Sequence, residues 1–335
     1  MSFFADIPLA RRIESAEARL SDGVVRLVAA RRPGLRAGTW PIGGGVAVFG
    51  GPGSPFNKLI GSGFDGPPDD DRLAEVERAF ADRAAPLQAE VATLASPAFH
   101  AALTGRGYVL HGFENVLGRP IARVARAGGG DTGERRAVVL RPISAGAQGG
   151  PDRSRGVGAS TAHDKALPAI EPAGGSSSDV RGGTTVIDVA ECAAEEFDIW
   201  LDVLVTGFAH LDATGAGSGV PAPPREVLVQ VMGDMAMAPG FHRYLARIGG
   251  EPVGGASLRV DEAGVAQLAG AATLPAYRRR GVQRALLAAR LEVARHAGCD
   301  LAVITTQPGT QSQANAQRQG FDLLYARAIL VKSGR

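Results

Sequence analysis

A segment that closes the first third of the chain returns at its end. Residues 107–119, GYVLHGFENVLGR, overlay residues 320–332, GFDLLYARAILVK, without a gap at a separation of 213 positions (320 − 107). The same separation lays residues 69–83 on residues 282–296, with Leu73 on Leu286 and Phe80 on Val293. One offset that keeps helix, strand, helix and strand in step is the mark of a duplicated unit. A chain of 335 residues is also long for a single core, so two related domains is the expected organisation.

Hydrophobic periodicity supplies the elements. In the first half it predicts a helix over 9–33 and a hairpin of strands 46–49 and 56–60. A helix over 70–83, a strand 87–94, a short helix 97–103 and a strand 108–117 follow. The second half reads as strand 184–189, helix 193–207, a Gly/Pro-rich loop 210–224 and helix 225–237. A hairpin of 241–248 and 252–260 then turns at Gly249 and Gly250, and a third strand covers 265–274. Helix 282–296, strand 301–305, short helix 312–318 and strand 321–332 close the chain. Between the halves, 126–183 is rich in Gly, Ser and Pro and too poor in apolar residues to build a core. It is expected to be a linker or insert, flexible over 146–182, with one strand-like island at 137–143. The expected domains are therefore 1–125 and 184–335, each an α/β mixed sheet flanked by helices.

Composition narrows the function by exclusion. Lys and Arg number 36 against 34 Asp and Glu, a net charge of +2, so neither nucleic acid nor an anionic membrane surface is an expected partner. Two cysteines, Cys192 and Cys299, have no metal-ligand spacing around them, and neither a metal site nor a disulfide is expected. No leader-like or membrane-spanning apolar run is read, and a cytoplasmic protein is the expectation, with the Ala, Gly and Arg richness of a high-GC bacterial sequence.

Any anion site must then be local, and residues 265–287, VAQLAGAATLPAYRRRGVQRALL, have its parts. An apolar strand stops at Pro275 and passes through Arg278, Arg279, Arg280 and Gly281 into a helix opening at Val282. Backbone N–H groups, a helix N-terminus and fixed positive charge meet there, which suits phosphate. At the offset of the repeat this loop falls on Asp65, Gly66, Pro67, Pro68, Asp69 and Asp70. Prolines lack the donors and aspartates repel phosphate, so the first copy is expected to have no such site.

Here the sequence resembles the GNAT superfamily of N-acetyltransferases, through Arg278-Arg279-Arg280-Gly281-Val282-Gln283 after Leu274-Pro275, and through residues 312–321, SQANAQRQGF, which look like the family's second cofactor-contacting helix. The resemblance covers 184–332 well and 9–119 weakly, which makes the fold two tandem GNAT-like domains with a degenerate first copy. It implies acetyl-CoA as co-substrate. The pantetheine arm would pair with the backbone of Ala271, Ala272, Thr273 and Leu274. The pyrophosphate would sit on Arg278, Arg279, Arg280, Gly281, Val282, Gln283 and Arg284, and Asn315 would hydrogen-bond the cofactor. Gln283 replaces the family's small residue, so its side chain must turn outward or make its own hydrogen bond.

The family's acid and base positions differ here. Ala316 stands where many members carry a Tyr that protonates the thiolate, leaving Tyr325 as a substitute. Residues 265–274 hold no carboxylate to act as base, since Gln267 cannot take a proton. His210 and Asp212, on the loop that overhangs the acceptor in this family, are the candidate catalytic residues on that side, and His has a suitable pKa. Glu114 or Asn115 of the first domain would close the acceptor cleft. The implied reaction is direct transfer of acetyl from acetyl-CoA to an amine of a small molecule or peptide, with a homodimer admitted as the assembly. A non-catalytic CoA sensor or scaffold is the alternative, and a structural tandem domain a third reading.

Overall fold

The computed structural model describes residues 3–122, 186–210 and 224–334. The linker 126–183 with its strand 137–143, the loop 211–223 and Asp212 lie outside the described residues.

Seven α-helices and twelve strands are assigned among the described residues: α1 (Ile7–Arg31), β1 (Gly38–Ile42), β2 (Gly45–Phe49), β3 (Lys58–Ile60), α2 (Asp70–Ala81), β4 (Leu87–Ala92), α3 (Pro97–Gly105) and β5 (Val109–Pro120) in the first half. The second half has β6 (Asp188–Glu191), α4 (Phe197–Ala209), α5 (Arg225–Met235), β7 (Phe241–Ile248), β8 (Glu251–Val260), β9 (Val265–Gln267), β10 (Ala272–Thr273), α6 (Val282–His296), β11 (Leu301–Thr306), α7 (Gln311–Arg318) and β12 (Asp322–Lys332). The repeat is visible in this order, since α2, β4, α3 and β5 recur as α6, β11, α7 and β12.

All strands belong to one mixed sheet in the order β1-β2-β3-β4-β12-β5-β11-β9-β8-β7-β6, with β10 pairing β8. Instead of two separate sheets, the copies share one, because they exchange their last strands. β12, which ends the second copy, pairs antiparallel with β4 of the first, and β5, which ends the first, pairs antiparallel with β11 of the second. The two exchanged strands pair with each other, and Glu114 lies opposite Arg327. Those two positions differ by the repeat offset (327 − 114 = 213), so the pseudo-twofold axis of the molecule passes through them.

Side-chain alternation along each strand sorts the core into layers. On one face Val46, Val48 and Ile60 meet Val24, Val25 and Val28 of α1, while Val265, Leu301, Val303 and Val116 meet Ala10, Ile13 and Ala16 of the same helix. Helix α1 therefore spans the seam between the copies, started by Asp6, whose carboxylate accepts from Leu9 N at 2.8 Å. Helices α4 and α5 lie on this face through Trp200, Leu204 and Met232. The opposite face carries α2 and α3 over Phe49, Leu59 and Val91, and α6 over Ala256, Ala266 and Ala302.

Two expectations needed revision. The strand 265–274 divides, because Gly270 adopts φ +48° and swings the chain away from β11. Leu268 N still donates to Val303 O at 2.9 Å, but Ala272 already faces Gly255 of β8. Strand β1 was not expected at all, as Pro41 lies within it. It survives because β1 is the edge of the sheet, where a missing N–H breaks no ladder.

Candidate functional site

The swing at Gly270 opens a gap in the sheet. Strands β9 and β11 run parallel only as far as Gln267 and Val303, after which β10 follows β8 while β11 continues through Ile304 and Thr305 to Thr306. The backbone of residues 269–273 is thus turned away from its parallel neighbour on one edge. Arg290, buried in α6, braces this departure, donating from Nη1 to Ser257 O at 2.9 Å and to Ala269 O at 3.4 Å. Burial without a carboxylate partner pulls its pKa down to about 10. Gly207 brings α4 against the same segment, where a Cβ would sit 2.5 Å from Ala272 Cβ.

Helix α6 begins at the edge of the gap. Leu274 leads into a single 3-10 turn over Pro275–Tyr277, and Gly281, at φ +89°, is the N-cap. Among the described residues no side chain caps this helix, and the first-turn amides of a helix have no partner within it. Arg279 takes a left-handed φ of +61°, a conformation that costs about 1 kcal/mol for a residue with a side chain. Arg280 stacks its guanidinium 5.2 Å from the Tyr277 ring centre, and Arg278 donates to His210 O. Gln283 makes its own hydrogen bond: Nε2 donates to Thr273 Oγ1 at 2.9 Å, which ties the helix to β10.

The equivalent helix start in the first copy is closed. Asp69 caps α2, its carboxylate accepting from Asp71 N and Arg72 N at 3.0 Å each. The protein's own anion occupies the place a phosphate would take. Asp69→Ala should cost about 1 kcal/mol of stability, read by chemical denaturation.

The structure brings the strand and loop candidates together: Ala271, Ala272, Thr273 and Leu274 lead directly to Arg278, Arg279, Arg280, Gly281, Val282, Gln283 and Arg284 at the start of α6. Asn315 lies on α7, where Oδ1 accepts from Gln311 Nε2 at 3.0 Å. Helix α7 faces the end of β11: Asn115 of β5, opposite Thr306, donates to Gln313 Oε1 at 3.2 Å.

The two catalytic candidates within the described residues, His210 and Tyr325, sit on different elements. His210 is exposed at the end of α4, and its Nδ1–H donates to Thr206 O at 2.8 Å. Tyr325 is buried beneath α1, where Oη donates to Glu14 Oε1 at 2.7 Å. Burial and the neighbouring Glu14 carboxylate lift the phenol well above its usual range.

What sequence reading did not assemble is a charged cluster on the α1 face of the seam. Arg327 Nε donates to Glu14 Oε1 at 2.7 Å, and its Nη1 lies 3.7 Å from Glu114 and 3.9 Å from Glu90. Lys58 Nζ sits 3.1 Å from Glu90 and 4.0 Å from Glu17, and Glu17 accepts from Gln267 Nε2 at 2.8 Å. Burial works against the Glu90 carboxylate, but Lys58 and Arg327 hold its pKa below the ordinary value. Burial pushes Glu114 up to about 7, and Glu90 adds to the shift while Arg327 opposes it. The sequence signal was a carboxylate inside each apolar run: Glu90 in LQAEVA and Glu14 on the inward stripe of α1.

No group of side chains able to hold a metal ion occurs among the described residues, and no helix among them is long and apolar enough to cross a membrane.

Comparison with known proteins gives residues 218–321 as a match to the Acetyltransferase (GNAT) family. No curated protein sequence matches the chain. Among solved structures, the chain is similar to a GCN5-related N-acetyltransferase from Kribbella flavida at 17% identity, covering 93% of this chain and 96% of that one with a TM-score of 0.51. It is also similar to a tandem GNAT protein from the clavulanic acid biosynthesis pathway, at 11% identity, 96% of both chains and a TM-score of 0.49. A GCN5-related N-acetyltransferase from Sphaerobacter thermophilus matches at 12% identity over 79% of this chain and 67% of that one, with a TM-score of 0.45.

Proposed function

We propose that this chain, which carries a domain of the Acetyltransferase (GNAT) family over residues 218–321, transfers an acetyl group from acetyl-CoA to an amine. One observation carries the reading. An uncapped helix N-terminus flanked by arginines abuts a gap in the sheet in the second copy, while the same helix start in the first copy is filled by Asp69.

In this reading the backbone of residues 271–274 receives the pantetheine arm. Arg278–Arg284 hold the pyrophosphate, and Asn315 of α7 faces the cofactor from the opposite wall. Residues 1–125 form the degenerate copy and 184–335 the binding copy, joined by 126–183. Catalysis rests on holding the thioester and amine in line and on backbone donors that stabilise charge developing on the thioester oxygen. The test is thiol release from acetyl-CoA with a panel of small-molecule and peptide amines. Turnover with any of them supports transfer, and tight CoA binding with no turnover across the panel supports instead a CoA-binding sensor. That second reading is favoured by Ala316 and by the engagement of Tyr325 with Glu14.

A further inference from the structure

Strands β9, β10 and β11 carry no carboxylate, whereas the exchanged strand β5 of the first copy brings Glu114 beside the end of β11. Asn115 faces Thr306, the last residue of β11, so Glu114 stands one position beyond the point where β11 stops. Its neighbour Val116 packs under α1 beside Leu301 and Val303, which places Glu114 on the same sheet face, with Gln267 of β9 on that face across the gap. About a third of the Glu114 side chain is open to solvent, whereas Glu14, Glu90 and Arg327 are enclosed.

We propose that Glu114, carried into the second copy's gap by strand exchange, is the residue that takes the proton from a cationic amine acceptor. The inference rests on the acetyltransferase reading. Its first support is position, at the open end of the gap and on the α1 face. Its second is charge. Glu14 and Glu17 of α1, Glu90 of β4 and Glu114 of β5 meet Lys58 of β3 and Arg327 of β12 here, and Arg259 of β8 acts on Glu17 beside Gln267. Glu90 Oε2, nine-tenths buried, makes no hydrogen bond among the described residues. A carboxylate oxygen buried there without a hydrogen bond is completed by a proton or by a cationic group such as an ammonium. A base poised near neutrality is also suited to deprotonating an amine at ordinary pH.

The chemistry balances without another reactant. The acceptor ammonium gives one proton to the Glu114 carboxylate, and the freed nitrogen lone pair forms a bond to the thioester carbonyl carbon. The C–S bond of the resulting adduct breaks, the CoA thiolate takes the second proton from the nitrogen, and Glu114 returns its proton to water. Gln267, Glu17 and Lys58 tie the floor of the gap to Glu90 and so to Glu114.

The test uses the full-length protein with saturating acetyl-CoA. Thiol release is followed from pH 5.5 to 9.5 with spermidine, lysine amide and 2-phenylethylamine, for wild type, Glu114→Gln and Glu114→Asp, with CoA affinity measured alongside. Wild type should show kcat rising through an apparent pKa near 7 as the carboxylate forms. Glu114→Gln should lose that limb and roughly a hundredfold in kcat while keeping its CoA affinity, and Glu114→Asp should retain the limb at a lower rate. Wild-type rate and pH profile in Glu114→Gln overturn this inference and leave acetyl transfer standing. Wild type that binds CoA but turns over none of the amines overturns both. A Glu114→Gln chain that fails to fold is recognised by circular dichroism, and Glu114→Asp then decides, since an unchanged rate and pH profile there also overturns the assignment.

Discussion

Replacing Arg278, Arg279 and Arg280 together by Ala is expected to weaken CoA binding by at least a hundredfold. A charge-assisted hydrogen bond contributes about 1.5–3 kcal/mol, and two such contacts already amount to about 3 kcal/mol, or roughly two orders of magnitude in Kd. Stability should change little, because Arg279 and Arg280 are exposed and alanine meets the same left-handed backbone cost at position 279 as arginine does. The measurement is calorimetric titration with CoA beside a denaturant melt. Unchanged affinity would remove these guanidinium groups from the site.

The largest effect on stability is expected from Glu14→Leu. Glu14 is 1% exposed and receives both Arg327 Nε and Tyr325 Oη, so its loss leaves a buried guanidinium and a buried phenol without their acceptor. Removing one member of a buried pair costs about 3–5 kcal/mol. The lower end is expected here, because Glu90 and Glu114 still lie within 3.9 Å and 3.7 Å of Arg327. The hydrophobic gain from a Leu at this position is about 2 kcal/mol at most and does not offset the loss. Glu14→Gln keeps an acceptor oxygen and should cost less. Equilibrium unfolding in urea measures both, and equal, small effects would show that the ion cluster is not holding the seam.

Much of this architecture was legible in the residues because its signals are local. Helix α6 was expected over 282–296 and is found at Val282–His296, since Gly281 opens it and Gly298 follows its end. The turn at Gly249 and Gly250 was readable for the same reason, both having positive φ. The repeat offset foretold which elements correspond, and each pair is found. Strand exchange was not legible. β5 and β12 carry the same pattern by duplication, so either could complete either copy, and only their three-dimensional pairing decides. Pro41 hid β1 because a proline argues against a strand until the strand is known to be an edge. The single strand expected over 265–274 failed at Gly270, where the chain leaves β11 while its pairing with β8 resumes at Ala272, and the gap opens.

The site followed the same division. The proposed cofactor end lies in one continuous segment, residues 265–287, whose parts are adjacent in the sequence. The charged cluster proposed for the acceptor end is assembled from α1, β3, β4, β5 and β12, far apart in sequence, and its carboxylates Glu14 and Glu90 appear there only as isolated charges in apolar runs. Gln283 is a case between the two: its need for a partner was evident, while Thr273 as that partner required the fold.

Calorimetric titration of the full chain with CoA decides whether the second copy alone holds the cofactor. One molecule should bind per chain, with binding abolished or weakened at least a hundredfold by alanine at positions 278–280 and unaffected by Asp69→Ala. Two molecules per chain, or binding lost in Asp69→Ala and retained in the arginine variant, would contradict it.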